Sequence, residues 1–123
     1  MQGNHAAAEP LFQRSLAIAD TVWGRAHPNY AAMLCNLADL RQAQKSWSEA
    51  ERLYLETLAI AEKAYGPKHP VVAGYLSGYE RVPEGMKRKK DAKEVAARIR
   101  EIEMASGGPP GRHTVDVLAL ERR

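Results

Sequence analysis

The chain has 123 residues, 45% hydrophobic and 27% charged, a globular composition that excludes wholesale disorder. Lysine and arginine number 18 against 15 acidic residues, and the net charge of +3 is too small to announce a nucleic-acid binder. No apolar run approaches the roughly 18 residues that a membrane span requires. The N-terminus lacks the basic-then-apolar profile of a secretory signal, and a lone Cys35 leaves no internal disulfide and no cysteine-based zinc site. A reducing, cytoplasmic setting is the expectation.

Self-comparison finds a period that organises most of the chain. Displaced by 42 residues, Gly3–Arg41 falls on Lys45–Pro83 with twelve identities in thirty-nine positions, where average residue usage gives roughly three. Leu11/Leu53, Leu16/Leu58, Gly24/Gly66, His27/His69, Pro28/Pro70 and Leu34/Leu76 are among them, with Phe12/Tyr54 and Trp23/Tyr65 as conservative pairs. A fainter third copy opens near Lys87, with Val95 under Leu53.

In chain order the pattern predicts five helices. The first runs over Gly3–Val22 and is closed by Gly24. The second spans 28–43, opened by Pro28 at the first helical position, where its missing N–H would be unpaired anyway. The third spans 46–65, with Leu53, Tyr54, Thr57, Leu58 and Ala61 recurring on one face, and Gly66 ends it. The fourth spans 70–82 and stops at Pro83. Gly74 and Gly78 lie inside it, each costing up to about 1 kcal/mol relative to Ala. The fifth, 87–105, is amphipathic through Ala92, Val95, Ala96, Ile99 and Ile102. Ser106-Gly107-Gly108-Pro109-Pro110-Gly111 reads as a flexible linker and 114–123 as a frayed end. The fold class is all-α: an α-solenoid of antiparallel helix pairs over 1–105, followed by a linker and tail over 106–123.

The run Gly66-Pro67-Lys68-His69-Pro70-Val71-Val72-Ala73 resembles the joint of a kinesin-light-chain-type tetratricopeptide repeat. Ser48-Glu49-Ala50-Glu51-Arg52-Leu53-Tyr54 is similar to that family's second helix, and Leu34-Cys35-Asn36-Leu37-Ala38 to its first. The resemblance implies right-handed superhelical stacking. It also implies that 28–43 and 70–82 line a concave groove, while 46–65 and 87–105 form the outer wall. Residues 3–23 become a second helix without its own first helix. Lys45 and Lys87 stand where the family prefers glycine, which predicts strained or opened turns, and His5 stands where tyrosine is usual.

One helix stripe, Ala32, Cys35, Asn36, Asp39 and Gln42, is small and polar, and the next copy offers Gly74, Ser77, Gly78 and Arg81. Small side chains let an extended peptide approach, and carboxamides bond its backbone. The candidate groove contacts are therefore Asn36, Cys35, Asp39, Gln42, Ser77 and Arg81, with an ordinary solvated helix face as the competing reading. The resemblance singles out Asn36 as the family's peptide-holding residue. No metalloprotease, nucleophile-elbow, phosphate-loop or calcium-loop pattern occurs, so neither catalysis nor a cofactor nor a metal is implied. The repeat explains His27 and His69 as joint residues, and Trp23, Trp47, Tyr54 and Tyr65 as packing between helices.

The leading expectation is a non-catalytic module that binds a protein or peptide partner. The alternative is a structural end piece, or a self-associating one, that uses Leu11, Phe12 and Leu16 on the helix lacking its partner. Lys87-Arg88-Lys89-Lys90 reads chiefly as a solvated face of the last helix, with an RNA, DNA or acidic-partner contact as the weaker reading. Asp91 and Glu94 partly offset that charge, and no aromatic residue interleaves it.

Overall fold

The computed structural model describes residues 5–106, with side chains over 9–105, and those residues are helical throughout apart from turns. In order they form α1 (His5–Val22), α2 (Pro28–Ala43), α3 (Trp47–Tyr65), α4 (Pro70–Tyr79), α5 (Arg81–Gly85) and α6 (Lys89–Ser106). Helix α2 packs against α1 and α3, α4 against α3 and α6, and short α5 against both α3 and α6. This is the succession of neighbours that stacked helix pairs produce. From residue 107 onward, the expected linker and tail lie outside the described residues.

The two joints that lead into α2 and α4 are built alike. Gly24 and Gly66 hold φ of 87° and 97°, in the left-handed region that glycine enters without strain. His27 and His69 cap the helices that follow. Each Nδ1 accepts a backbone N–H two residues on, from Asn29 at 3.0 Å and from Val71 at 3.1 Å. Pro28 and Pro70 occupy the first helical position. Trp23 and Tyr65 then stack on the capping imidazoles, with ring centroids 5.6 and 4.8 Å apart. The recurring histidine is thus both a cap and a stacking surface.

The turns after α2 and α5 are closed rather than opened, and each carries a left-handed lysine: φ is 60° at Lys45 and 63° at Lys87. In the first turn, Ser46 N–H donates to Arg41 O at 2.9 Å and Lys45 N–H to Gln42 O at 2.9 Å. In the second, Arg88 N–H donates to Pro83 O at 2.8 Å and Lys87 N–H to Glu84 O at 3.1 Å. Both pairs are the bonds of a Schellman closure, whose left-handed position normally belongs to glycine. A side chain there costs roughly 1–2 kcal/mol.

The fourth expected helix is divided in two. Helix α4 ends at Tyr79, and Pro83 lies inside α5 instead of ending a helix. A proline ring clashes with the carbonyl four residues earlier, and four residues before Pro83 is Tyr79. Glu80 keeps helical angles (φ −51°, ψ −34°), so the chain re-enters a helix at once. Pro83 then sits in a new first turn, where no N–H is required.

Charged side chains tie the stacked helices together at positions the sequence did not flag. Arg41, buried near the end of α2, donates to both carboxylate oxygens of Glu9 on α1, to Gln44 and to Glu49 on α3. Glu51 is the repeat counterpart of Glu9, and it accepts from Tyr79 Oη at 3.1 Å and from Arg88. The same glutamate position therefore takes an arginine in both copies, supplied from the end of α2 in one and from the turn before α6 in the other. Hydrogen bonds from Arg41 hold the Glu9 carboxyl below its ordinary range. Burial, followed by the bond to Glu51, pushes the Tyr79 hydroxyl up to about 12.

Two predictions follow from these contacts. Replacing Lys45 or Lys87 with glycine relieves the strain and is expected to raise stability by about 0.5–1 kcal/mol each, read by urea unfolding. A loss of stability would mean that the lysine backbone is not strained. Because the folded-state pKa of Glu9 is lowered, its stabilisation is present above the usual carboxylate value of about 4.3 and disappears as pH falls through the lowered one. The gap in melting temperature between the native chain and Glu9→Gln should accordingly be widest near neutrality and close in acid. A gap independent of pH would contradict this.

Candidate functional site

Helices α2 and α4 leave between them a cleft of about 550 Å3, with α3 beneath. Asp39, Gln42 and Ala43 of α2 form one wall, and Gly74, Ser77 and Gly78 of α4 form the other. Arg81, the first residue of α5, continues the second wall, and the buried ring of Tyr54 from α3 lies at the base. Steps of three and four along each helix bring these side chains onto one face.

A chain of hydrogen bonds fixes the spacing of the walls. Tyr54 Oη donates to Asp39 Oδ1, and Gln42 Nε2 donates to Tyr54 Oη at 3.0 Å and to Gly78 O at 2.9 Å. These bonds tie α2 to both α3 and α4. Gly78 makes room for them: a Cβ at that position would stand 3.1 Å from Tyr54 Cε1 and 3.3 Å from its Oη. With both amide hydrogens of Gln42 engaged, its carbonyl oxygen is the group it has for a ligand.

Chemically the cleft offers a carboxylate at Asp39, an amide oxygen at Gln42, a hydroxyl at Ser77 and an exposed guanidinium at Arg81. Such a set can bond a polypeptide backbone and select charged side chains. The Ser77 hydroxyl donates to the helix carbonyl of Ala73 at 3.1 Å, so it is not paired with a base in the manner of a nucleophile. Among the described residues, no group of three or more His, Cys, Asp or Glu side chains is arranged to hold a metal.

Asp39, Gln42, Ser77 and Arg81, four of the six expected contacts, line this cleft together. Cys35 does not. It is fully buried in the core, on the same stripe of α2 as Ala31 and Ala38, both also without exposure, and it leaves the contact set. Asn36 is half-buried and is not among the lining residues. It holds on α2 the repeat position that Gly78 holds on α4, but only the Gly78 position lines this cleft. Tyr54 and Ala43 are lining residues that the sequence reading did not assign to the site. A hydroxyl at Tyr54 where the other copy has Phe12 was the available signal.

The expected self-association patch is also redrawn. Leu16 is only 9% exposed and belongs to the core with Ala19, and Phe12 is half-buried against it. Leu11 remains uncovered at 53%, whereas its counterpart Leu53, on a helix that does have a preceding partner, is 3% exposed.

Paired helices, repeated cap chemistry and a cleft between alternate helices together define a helical-repeat scaffold. The family model for the tetratricopeptide repeat matches residues 1–63 and again 30–102. The chain belongs to the tetratricopeptide repeat family, whose repeats generally mediate protein–protein interaction without catalysis. No curated protein matches the chain. No helix among the described residues is long and apolar enough to cross a membrane.

Tyr54→Phe removes the hydroxyl that joins Asp39 to Gln42, and it should cost about 1 kcal/mol in chemical unfolding. Undiminished stability would show that these bonds do not hold the walls.

Proposed function

We propose that this chain is a non-catalytic interaction module of the kinesin-light-chain type, built on 42-residue repeats, that holds an extended peptide or partner segment between α2 and α4 in the cytoplasm. One observation carries the reading: Asp39, Gln42, Ser77 and Arg81, which helical spacing and the family resemblance both favour as groove contacts, line a single open cleft. The bonds among Tyr54, Gln42 and Gly78 prepare that cleft in advance, so little ordering cost falls on the protein when a ligand arrives.

Peptides enriched by the native chain from a random library provide the test. Arg81 is exposed, so Arg81→Glu leaves the core intact while reversing the charge at one end of the cleft. Affinity for those peptides should fall about fivefold or more. Unchanged affinity in a folded variant would contradict the placement of the ligand.

A second reading, assembly through α1, is supported by the contrast between Leu11 and Leu53. On that reading the native chain sediments as an oligomer and Leu11→Glu as a monomer. A native monomer removes it.

A further inference from the structure

The turns after α2 and α5 lie at the same end of the stacked hairpins, and one contact sets them side by side. The Trp47 ring occupies the space where any side chain on Gly85 would stand, with ring atoms 2.6–2.8 Å from an ideal Cβ. Lys45 lies two residues before Trp47, and Lys87 two residues after Gly85. Lys89, Lys90 and Lys93 continue from Lys87 along α6, and all five lysines are exposed. Among the described residues none of the five forms an ion pair. The cations at the opposite joints differ: Arg25 pairs with Asp20 at 3.1 Å and Lys68 with Glu101 at 3.9 Å.

Local stability does not account for this edge. Lysines in the first turn of α6 oppose its dipole, and neighbouring like charges repel one another. Lys45 and Lys87 sit at left-handed φ, where glycine would relieve the backbone. Beside them, Glu84, Lys87, Lys89, Ala92 and Lys93 line a shallow cleft of about 500 Å3, in which lysine stems supply apolar wall and three ammonium groups outnumber the single carboxylate of Glu84.

We infer that this lysine edge is a second docking surface, separate from the cleft between α2 and α4, and that it takes an acidic segment of a protein partner. Charge complementarity selects an anionic occupant. The size of the patch selects a polypeptide over a nucleic acid. Within α6, Lys89 to Lys93 spans about 6 Å of helix rise, the reach of roughly two extended residues, whereas strongly salt-dependent nucleic-acid binding goes with about 6–10 phosphate contacts. No aromatic residue interleaves Lys87–Lys93 in sequence, and the ring at this edge, Trp47, is half-buried with one face against Gly85. The two strained lysines are then explained: each holds an ammonium on the edge at the expense of its turn.

The test uses a short fluorescent polyglutamate peptide and the full chain. The peptide should bind, and should bind more weakly as salt is raised. The double variant Lys45→Gly/Lys87→Gly should be more stable than the native chain yet bind about fivefold more weakly, and Lys89→Ala/Lys93→Ala should weaken binding similarly without the gain in stability. Absence of polyglutamate binding at low salt overturns the inference, as does unaltered affinity in both double variants. A mixed-sequence oligonucleotide that binds more tightly than polyglutamate also overturns it, in favour of a nucleic-acid surface.

Discussion

Helix α2 is enclosed on almost every side, and the rest of the structure follows from that enclosure. Ten of its sixteen residues are buried, including Tyr30, Met33, Leu34, Leu37 and Leu40, so it has no single apolar stripe. A helix of this kind is stable only between neighbours, and α1 and α3 supply them. The strip that stays open, Asp39, Gln42 and Ala43, is the strip that walls the cleft. Burial of the rest of α2 thus gives the cleft wall a fixed backing.

The structure joins its helices in two ways with opposite costs. Where α1 leads into α2 and α3 into α4, a left-handed glycine, a capping histidine and an initiating proline each take the conformation the joint requires. Where α2 leads into α3 and α5 into α6, the hydrogen bonds are those of a glycine closure but the residue is lysine. Ion pairs then brace helices that these joints bring together: Arg41 with Glu9 and Glu49, Arg88 with Glu51, and Arg98 with Glu62 at 2.6 Å. Each pair crosses between different elements, so they act on how helices stack and not on whether each one forms.

Most of the helical plan was readable from local signals, because Gly24, His27-Pro28, Gly66 and His69-Pro70 act within a few residues of themselves. The break at Tyr79 was harder to read. Pro83 announces a disturbance, but the clash it causes falls one turn upstream, and a proline in the first turn of a new helix is as acceptable as one that ends an old helix. The cleft was readable in part, since helical spacing puts Asp39 with Gln42 and Ser77 with Arg81. Spacing does not say which side of a helix is covered, so it could not show that Cys35 is enclosed in the core or that Asn36 lies outside the lining of this cleft. Arg41, Glu9 and Glu51 left no local signal, because charged residues on helices read as solvated until their neighbours are known.

The most direct test of the central claim, that the open strip of α2 and the facing strip of α4 together receive a partner segment, is an NMR titration of the isotope-labelled chain with a selected peptide. Amide shifts should concentrate at Asp39, Gln42, Ser77, Gly78 and Arg81 and leave the exposed face of α1 unmoved. Shifts gathered at Leu11 and Val22, with the cleft silent, would contradict it.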